Sequence, residues 1–461
     1  MPRARAPLVR ELQVPPHVLG TLAARTPERY PLLLDSAAAG PLSEASLLLA
    51  LPRAALWLDA DGRLAGEGMS PQGASFLEAL EHWWQQEQAP AAAGGAGLPF
   101  AGGWALFLSY ELAQEVEPHL ALPRTPLPWA AFALRTPAAL VHDLKSGRVL
   151  AVAEADAREA LDTLAADAHA AALAPQPPDT LQIQAVREED PRAYLERVAR
   201  AKEYVRAGDI YQANLSRAWD VEVRAAGGLA AAAALYQRLR TANPAPFAAL
   251  AQWRDVAIVS SSPERLVRVS GRRIDTRPIA GTRARRGRPG DDPREMSELA
   301  AHPKERAEHI MLIDLERNDL GRVCEPGSVR VDELMSIESY THVHHIVSNV
   351  SGILRPEVTP IGALRAVFPG GTITGVPKFR CMQIIAELEG RGRGAYTGSL
   401  GYLATDGRLD VNILIRTMTL TGATVQFHAG AGIVADSDPQ RELEETRAKA
   451  RGLLAALGAA G

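Results

Sequence analysis

The chain has 461 residues, of which 47% are hydrophobic and 23% charged, and its formal net charge is −4 at pH 7. This length suits two domains or one unusually large domain, and the nearly balanced charge argues against a nucleic-acid partner or an acidic membrane surface. The two cysteines, Cys324 and Cys381, exclude a disulfide framework and a zinc site built on thiolates.

The N-terminal residues include basic side chains but no apolar run of signal-peptide length. No segment approaches the roughly 18 uninterrupted apolar residues that a membrane span needs. We therefore expect a cytoplasmic protein with neither a membrane nor a nucleic-acid partner.

Residues 1–172 are rich in alanine, leucine and proline and contain few motifs of catalytic type. A strand is predicted at 30–34 and a helix at 158–173. Three prolines within 173–180 cannot continue that helix, so 173–186 is predicted to be a linker. Residues 187–457 form a second predicted domain.

The second predicted domain mixes helices and strands without regular alternation, which argues against a doubly wound sheet or a barrel. Periodicity and breaker residues predict helices at 191–207, 293–300, 304–317, 360–367, 377–388 and about 439–457. Strands are predicted at 210–223, 247–253, 256–260, 265–269, 273–279, 341–350, 396–403, 410–419 and 424–429.

Two pairs of glutamates occur at helical spacing. Glu305 and Glu308 are three residues apart, as are Glu442 and Glu445, so each pair shares one helix face. Four carboxylates that converge would suit Mg²⁺, which prefers oxygen ligands. Lys449 extends the second face and could bind a substrate carboxylate. Either pair, taken alone, is more often solvated helix surface.

Two polar turns follow predicted strands. Glu264 ends the segment SSSPE between two apolar strands, and a carboxyl there could act as a general acid if its pKa were raised. The segment RPIAGT, which ends at Thr282, could offer backbone N–H and hydroxyl donors to an anion. The alternative in each case is an ordinary turn.

Polar side chains also interrupt two apolar segments, and a pair of glycines follows a third. His344 and His345 lie in a predicted strand, so one of them must face the more buried side; a core histidine is the alternative to a functional one. Arg416 lies within VNILIRTM and needs a partner, either a substrate carboxylate or an internal ion pair. Gly430 and Gly432 would let backbone N–H groups approach an anion.

Eight segments, in order along 187–457, resemble the chorismate-binding enzyme family: SPER, RPIAGTRAR, ERAEHIMLIDLERNDLGRV, THVHHIVSNVSG, FPGGTITGVPK, YTGSLGY, IRTM, and AGAGIVADS with ELEETRAK. The family includes the large subunits of anthranilate synthase and aminodeoxychorismate synthase, and isochorismate and salicylate synthases. The resemblance implies an α+β fold, a large sandwich of antiparallel sheets flanked by helices. Residues 1–172 resemble the first half of the two ammonia-using subunits, in which Leu34 and Ser36 would line a tryptophan pocket.

The resemblance also assigns catalytic roles. Glu308 and Glu445 match Mg²⁺ ligands, and Glu305 and Glu442 would complete that site through water. Glu264 matches the general acid beside the C4 hydroxyl of chorismate. The other matches all belong to the substrate pocket: Tyr396 and Arg416 for the enolpyruvyl carboxylate, Gly430 and Gly432 for backbone donors, Lys449 near the ring carboxylate, and Thr282 and His345 in the pocket wall.

Two positions bear on the reaction. The water-using members carry a lysine that activates water where this chain has Gln212, and a neutral amide cannot act as that base, so ammonia is the expected nucleophile. YQANLS, VHHIVS, FPGGTITG and DVNILIRT resemble aminodeoxychorismate synthase, which we favour, whereas PIAGT and AGAGIVADS resemble anthranilate synthase. Ala280 stands where aminodeoxychorismate synthases typically have a lysine that attacks C2, so ammonia would enter without that covalent adduct.

The resemblance further implies a separate glutamine amidotransferase subunit that supplies ammonia. This chain shows no glutaminase set of cysteine, histidine and glutamate, because Cys324 and Cys381 lie within the family segments. An alternative of another class is a non-catalytic, chorismate-binding regulatory protein, against which the complete acid, metal and carboxylate-binding set argues.

Overall fold

The structure is a computed structural model that describes residues 6–38, 40, 42–89, 97–175, 179, 181–224, 228–284, 296–297, 303–339 and 343–458. Its strands are β1 (Leu8–Leu12), β2 (Leu32–Asp35), β3 (Ala45–Ala50), β4 (Ala54–Asp59), β5 (Leu64–Glu67), β6 (Gly103–Leu108), β7 (Trp129–Thr136), β8 (Ala138–Asp143), β9 (Val149–Ala153), β10 (Gln182–Glu188), β11 (Gln212–Arg224), β12 (Phe247–Trp253), β13 (Val256–Ser262), β14 (Arg265–Ser270), β15 (Arg273–Thr276), β16 (Ile279–Ala284), β17 (Arg330–Ser339), β18 (Val343–Ile353), β19 (Gly375–Val376), β20 (Ser399–Ala404), β21 (Leu409–Asn412), β22 (Thr417–Thr421) and β23 (Thr424–Ile433).

The helices are α1 (Val18–Arg25), α2 (Phe76–Glu87), α3 (Ala113–Val116), α4 (Arg158–Leu173), α5 (Pro191–Ala207), α6 (Gly228–Ala242), α7 (Pro303–Gly321), α8 (Pro360–Val367), α9 (Lys378–Glu389) and α10 (Pro439–Ala456). Short 3₁₀ turns occur at Tyr110–Leu112 and Gly371–Ile373. None of the described helices is long and apolar enough to cross a membrane.

The strands form two antiparallel sheets that pack face to face. The first sheet has the order β1-β9-β8-β3-β2-β12-β13-β22-β23-β11-β10, with β19 also paired to β11. The second has the order β16-β18-β15-β14-β21-β20-β6-β7-β4-β5, with β17 paired to β18. Helices cover the outer faces of both sheets. The predicted α+β sandwich of antiparallel sheets flanked by helices is therefore confirmed.

Both sheets combine strands from the two predicted domains. In the first sheet β2 pairs with β12, and in the second β6 pairs with β20. Each of these junctions joins a strand from residues 1–172 to one from residues 187–457. The division into two domains stays a prediction, but the hydrogen-bonded ladders run without interruption across it, and residues 182–186 of the predicted linker belong to β10, which pairs with β11.

One pair of neighbouring strands passes from the first sheet to the second at a single place. β13 pairs with β22 in the first sheet, and their continuations, β14 and β21, pair in the second. Pro263, which has no N–H to donate to a ladder, lies between β13 and β14. Residues 413–416 make the same passage on the neighbouring chain segment. We call this place the paired crossover.

The paired crossover corrects the prediction of a single strand at 410–419. That segment is two strands in different sheets, β21 and β22. Arg416 interrupts them with a φ of 51°, in the left-handed region that side chains other than glycine seldom adopt. The predicted helix at 293–300 and the start of the predicted strand at 341–350 fall largely outside the described residues, and sequence reasoning missed β17 and α6.

Aromatic rings fill the space between the two sheets. Phe107 of β6 lies with its ring centroid 4.9 Å from that of Trp129 and 5.4 Å from that of Phe132. Trp253 of β12, in the opposite sheet, lies 5.7 Å from Trp129. Such contacts add to area burial, so this cluster holds residues 1–172 against the sheet that carries β12.

Replacing Phe107 by alanine should lower the free energy of unfolding by roughly 3–5 kcal/mol, because the ring is fully buried and leaves a cavity. Urea unfolding measures the change. Val9→Ala, at a residue 46% exposed, is the control and should stay within about 0.5 kcal/mol of the unchanged chain. Equal effects of the two substitutions would contradict this account of the sheet interface.

Candidate functional site

Glu264 lies at the paired crossover, directly after Pro263. The residue is 4% exposed, and its Oε1 accepts a hydrogen bond of 2.8 Å from the hydroxyl of Thr372. Burial raises the pKa of Glu264 to about 8, while Thr372 and the backbone N–H of Ile279 act in the opposite direction. At neutral pH this carboxyl therefore holds a proton, as a general acid must.

Arg416 lies at the same crossover on the neighbouring segment. Its charge lowers the pKa of Glu264, and the Glu264 carboxyl in turn raises the pKa of the guanidinium. Burial lowers the pKa of Arg416, so the cation is poorly hydrated. Within the described ranges its guanidinium makes neither a hydrogen bond nor a salt bridge. A cation in that state is suited to a carboxylate ligand.

We call the surroundings of Glu264 and Arg416 the acid region. The edge of the second sheet forms one of its walls. Thr282 pairs with His345, and Ala280 pairs with Ile346, across a bulge at Gly281. His344 and His345 are both buried, because this sheet is covered on both faces, so strand alternation does not single out one of them as the more buried. Burial, and then Arg416, lower the pKa of His345 to about 3, so its imidazole is neutral. The side chain of Thr282 lies outside the described part.

A second group of predicted residues gathers where β11 and β23 pair. Lys449 donates a hydrogen bond of 2.9 Å to the carbonyl oxygen of Gly430. A methyl group built on Gly430 would lie 2.6 Å from the hydroxyl oxygen of Tyr396, which explains why glycine stands there. Tyr396 stacks on His428, with ring centroids 5.3 Å apart. Tyr396, Gly430 and Lys449 thus lie together in one corner, and their roles toward a substrate stay predictions.

Gln212 lies beside Gly432 in the same corner. A methyl group on Gly432 would collide with the side-chain amide of Gln212. Gln212 is 8% exposed, and its Oε1 has no hydrogen-bond partner in the described part of the chain. A buried amide oxygen without a partner costs free energy, which a ligand carrying N–H or O–H groups would offset.

The turn Gly371–Ile373 connects the acid region to this corner. Thr372 donates to Glu264, while the carbonyl oxygen of Ile373 accepts a hydrogen bond of 3.0 Å from Asn214 Nδ2. Asn214 lies on β11, two residues after Gln212. In the sequence this segment contributed only to the family resemblance, within FPGGTITGVPK, and Thr372 and Asn214 were not identified as site residues; the hydroxyl after two glycines was the available signal.

The four predicted metal ligands lie on two helices. Glu305 and Glu308 are half-buried in the first turns of α7, which packs against β16 and β18. On α10, Glu442 is buried, and Glu445 Oε1 lies 2.7 Å from Lys449 Nζ. Carboxylates are the donors that Mg²⁺ prefers, so the residue types fit that ion. Among the described residues, no three acidic, histidine or cysteine side chains converge as metal ligands would.

A buried ionic network supports Tyr396 from behind. Arg393 and Glu389 pair through Nη2 and Oε1 at 2.7 Å, and both are almost fully buried. Arg393 also donates 2.7 Å to the carbonyl oxygen of Asn214. Glu111, from residues 1–172, accepts from the backbone N–H of Arg393 at 2.6 Å. Sequence reasoning missed this network, although the i, i+4 spacing of Glu389 and Arg393 was a signal for it.

Leu34 and Ser36 line a separate cavity of about 410 Å³ between the two sheets. Its wall also includes Phe247, Tyr402 and Arg265. Arg265 directly follows Glu264, so adjacent residues serve the cavity and the acid region. That the cavity holds tryptophan stays a prediction.

The geometry is that of a binding site for a small anion beside a proton donor. A buried acid, Glu264, lies near a cation, Arg416. The corner at Gly430 offers the amine of Lys449 and the hydroxyl of Tyr396. Such a site suits a small substrate that carries more than one carboxylate and a group that leaves with a proton.

Comparison with known proteins agrees with this reading, since the family model described as chorismate binding enzyme matches residues 52–455. An anthranilate synthase component I-like protein of Synechocystis is 45% identical over 78% of this chain and 73% of its own length. Anthranilate synthase component 1 of Streptomyces coelicolor is 42% identical over 84% of this chain and 78% of its own length. Aminodeoxychorismate synthase component 1 of Bacillus subtilis is 47% identical over 56% of this chain and 54% of its own length.

Solved structures show the same architecture. Anthranilate synthase component I of Streptococcus pneumoniae superimposes with a TM-score of 0.78 at 30% identity, covering 90% of this chain and 93% of that one. The menaquinone-specific isochorismate synthase of Escherichia coli, at 19% identity and a TM-score of 0.71, covers 98% and 96% of the two chains and supports the fold alone. The chain belongs to the chorismate binding enzyme family. It is a chorismate-utilising enzyme of the group that contains anthranilate synthase component I and aminodeoxychorismate synthase.

Replacing Glu264 by glutamine should remove a pH-dependent part of the stability. The pKa of this carboxyl is raised from 4.5 to about 8 in the folded chain, so the unchanged protein loses stability as the pH rises through that window. Between pH 5 and pH 9 the glutamine variant should gain roughly 4 kcal/mol relative to the unchanged chain. Urea unfolding at both pH values measures this, with the exposed Glu357→Gln as control. Parallel pH dependences of E264Q and the unchanged chain would contradict a protonated Glu264.

Proposed function

We propose that this chain aminates chorismate with ammonia as the synthase subunit of aminodeoxychorismate synthase, which makes 4-amino-4-deoxychorismate for 4-aminobenzoate and folate synthesis. The observation that carries the choice of ammonia is the neutral amide of Gln212, which lies buried beside Gly432 at the position where the water-using members have a lysine. An amide oxygen accepts an N–H from ammonia but cannot take a proton from water. The segments that resemble aminodeoxychorismate synthases support C4 as the position of amination.

The reaction follows from the arrangement of the acid region. The C4–O bond of chorismate breaks, and Glu264 gives its proton to the departing hydroxyl, which leaves as water. A C–N bond forms at C4, and the added nitrogen releases a proton that restores Glu264. Arg416 and Tyr396 hold the enolpyruvyl carboxylate, and Lys449 lies near the ring carboxylate. Ala280 offers no nucleophile, so no adduct with the enzyme forms.

Magnesium enters the proposal through the two glutamate pairs. Glu308 and Glu445 would bind the ion directly, with Glu305 and Glu442 acting through water. When bound, Mg²⁺ would neutralise the ring carboxylate and promote loss of the C4 hydroxyl. In the structure Glu445 is paired with Lys449, so these two side chains meet at the edge of the substrate corner.

A second candidate function is anthranilate synthesis, in which ammonia adds at C2 and pyruvate is lost. Two observations favour it: Ala280 replaces the lysine typical of aminodeoxychorismate synthases, and relatives such as that of Streptomyces coelicolor are named anthranilate synthase component 1. Both reactions use the same acid, metal and carboxylate groups. The word component in these names supports a separate glutamine amidotransferase partner that delivers ammonia.

Incubation of the purified chain with chorismate, Mg²⁺ and ammonium should yield 4-amino-4-deoxychorismate, identified by chromatography and mass. Added aminodeoxychorismate lyase should convert it to 4-aminobenzoate. Glu264→Gln should lower the rate by about 10²–10⁴-fold, because the leaving hydroxyl then lacks its proton donor. Anthranilate and pyruvate as the products would instead establish the second candidate. Chorismate binding without turnover would leave only the regulatory protein, and glutamine should replace ammonium only when a glutaminase subunit is added.

Replacing Glu445 by glutamine should raise the Mg²⁺ concentration needed for half-maximal turnover by about tenfold or more, because one charged ligand is lost. A titration of turnover with Mg²⁺ measures this. Glu444→Gln is the matched control, since Glu444 is the preceding residue of α10 and is exposed. The same Mg²⁺ dependence in both variants would remove Glu445 from the metal site.

A further inference from the structure

A buried ionic cluster lies behind the Gly371–Ile373 turn, and the roles assigned above do not use it. Glu316 and Asp319 of α7 are 4% and 3% exposed. Lys378, at the start of α9, places its Nζ 2.5 Å from Asp319 Oδ2 and donates 3.1 Å to the carbonyl oxygen of Val367. Lys378 is thereby committed to Asp319 and the backbone.

Glu316 reaches the turn that carries Thr372. A methyl group on Gly371 would lie 3.3 Å from Glu316 Oε1 and would collide with Leu315, so α7 packs directly on the turn. The backbone N–H of Gly371 faces the Glu316 carboxyl. The next residue, Thr372, donates to Glu264. The Gly371 N–H that faces Glu316 and the Thr372 hydroxyl that binds Glu264 therefore belong to adjacent residues.

The balance of charge in this region requires a proton. Three carboxyls, those of Glu264, Glu316 and Asp319, are buried close to two cations, Lys378 and Arg416. A third cation, Arg322, also acts on Asp319 but is exposed to solvent, so its charge is screened. Complete ionisation would leave one buried negative charge without compensation, which is costly at low dielectric. Burial, and then Asp319, raise the pKa of Glu316 to about 7, against the effect of Lys378. Glu316 in turn raises the pKa of Glu264.

We infer that Glu316 is a positioning residue for the reaction: it orients the Gly371–Ile373 turn so that Thr372 meets Glu264, and its negative charge keeps the proton on Glu264. The role of Glu264 in this inference rests on the proposed function. Glu316 itself lies behind the turn and acts through Thr372 and through its charge. The positive charge of Lys378 favours the ionised form of Glu316. When Glu316 is ionised, the proton resides on Glu264.

Glu316→Gln tests the inference through the pH dependence of turnover. Loss of the negative charge stabilises ionised Glu264, so the alkaline limb of kcat/KM for chorismate should move to lower pH by about 0.5–1 unit. The rates are measured at a constant concentration of uncharged ammonia. The KM for chorismate should stay within about twofold while kcat falls by about tenfold, because a neutral amide oxygen holds the Gly371 N–H more weakly than a carboxylate does and the Thr372 hydroxyl is then less well oriented.

Asp314→Asn is the matched control, since Asp314 lies on the same helix, carries the same charge and is exposed. This variant should keep the alkaline limb of the unchanged chain. A limb that does not move in Glu316→Gln, with activity reduced equally at every pH, would show a purely structural role and overturn the inference. If Glu316→Gln does not fold, Glu316→Asp keeps the charge but shortens the side chain, and an unchanged kcat in that variant would also overturn it.

A measurement without turnover separates this inference from the proposed function. The infrared C=O stretch of protonated carboxyl groups, followed against pH, should show one that titrates near pH 8, as Glu264 does, and that is absent in Glu264→Gln. It should titrate at lower pH in Glu316→Gln and not move in Asp314→Asn. Failure of the unchanged chain to consume chorismate would refute the proposed function, while the same titration pH in Glu316→Gln and the unchanged chain would refute the inference.

Discussion

The site depends on the paired crossover, where two hydrogen-bonded neighbouring strands pass together from one sheet to the other. Strands that pair on both sides of a crossover must cross together, and at the crossing their backbones lose regular ladder partners. Here the strands satisfy one another: Ile413 donates 3.0 Å to the carbonyl oxygen of Glu264, and Ser261 donates 3.1 Å to that of Arg416. The backbone is thereby held at the point where two ionisable side chains, those of Glu264 and Arg416, lie between the sheets.

The crossover also separates two kinds of electrostatic environment. On one side, burial keeps Glu264 protonated and His345 neutral, so the acid region carries little charge apart from Arg416. On the other, Lys449 and the backbone near Gly430 form a corner suited to an anion. In the proposed function, the cations would orient a substrate that carries carboxylates at two points, and the neutral acid would then face the leaving hydroxyl.

The N-terminal segment takes part in the site through packing. Glu111 binds the backbone of Arg393 and Gly394, and Arg393 holds Glu389 and the strand that carries Asn214. Breaking a buried ion pair by removing one partner is strongly destabilising. Residues 1–172 therefore support Tyr396, although none of their side chains belongs to the predicted active-site set. The hydrogen-bonded ladder between β6 and β20 connects the two parts of the chain directly.

The sequence by itself determined the α+β sandwich class and the membership of the family, because those depend on segments of local pattern and on motifs that need no partner to be recognised. It also drew attention to Glu264, Arg416 and the glycines as candidate site residues, since proline after SSS, a charge in an apolar run and glycines after a strand are local signals; their roles stay predictions. The break at Arg416, the contact of Thr372 with Glu264, and the cluster of Glu316, Asp319 and Lys378 were decided by tertiary structure alone. These features depend on contacts between separate elements. The left-handed backbone of Arg416 and the raised pKa values of Glu264 and Glu316 arise because other parts of the chain surround these residues.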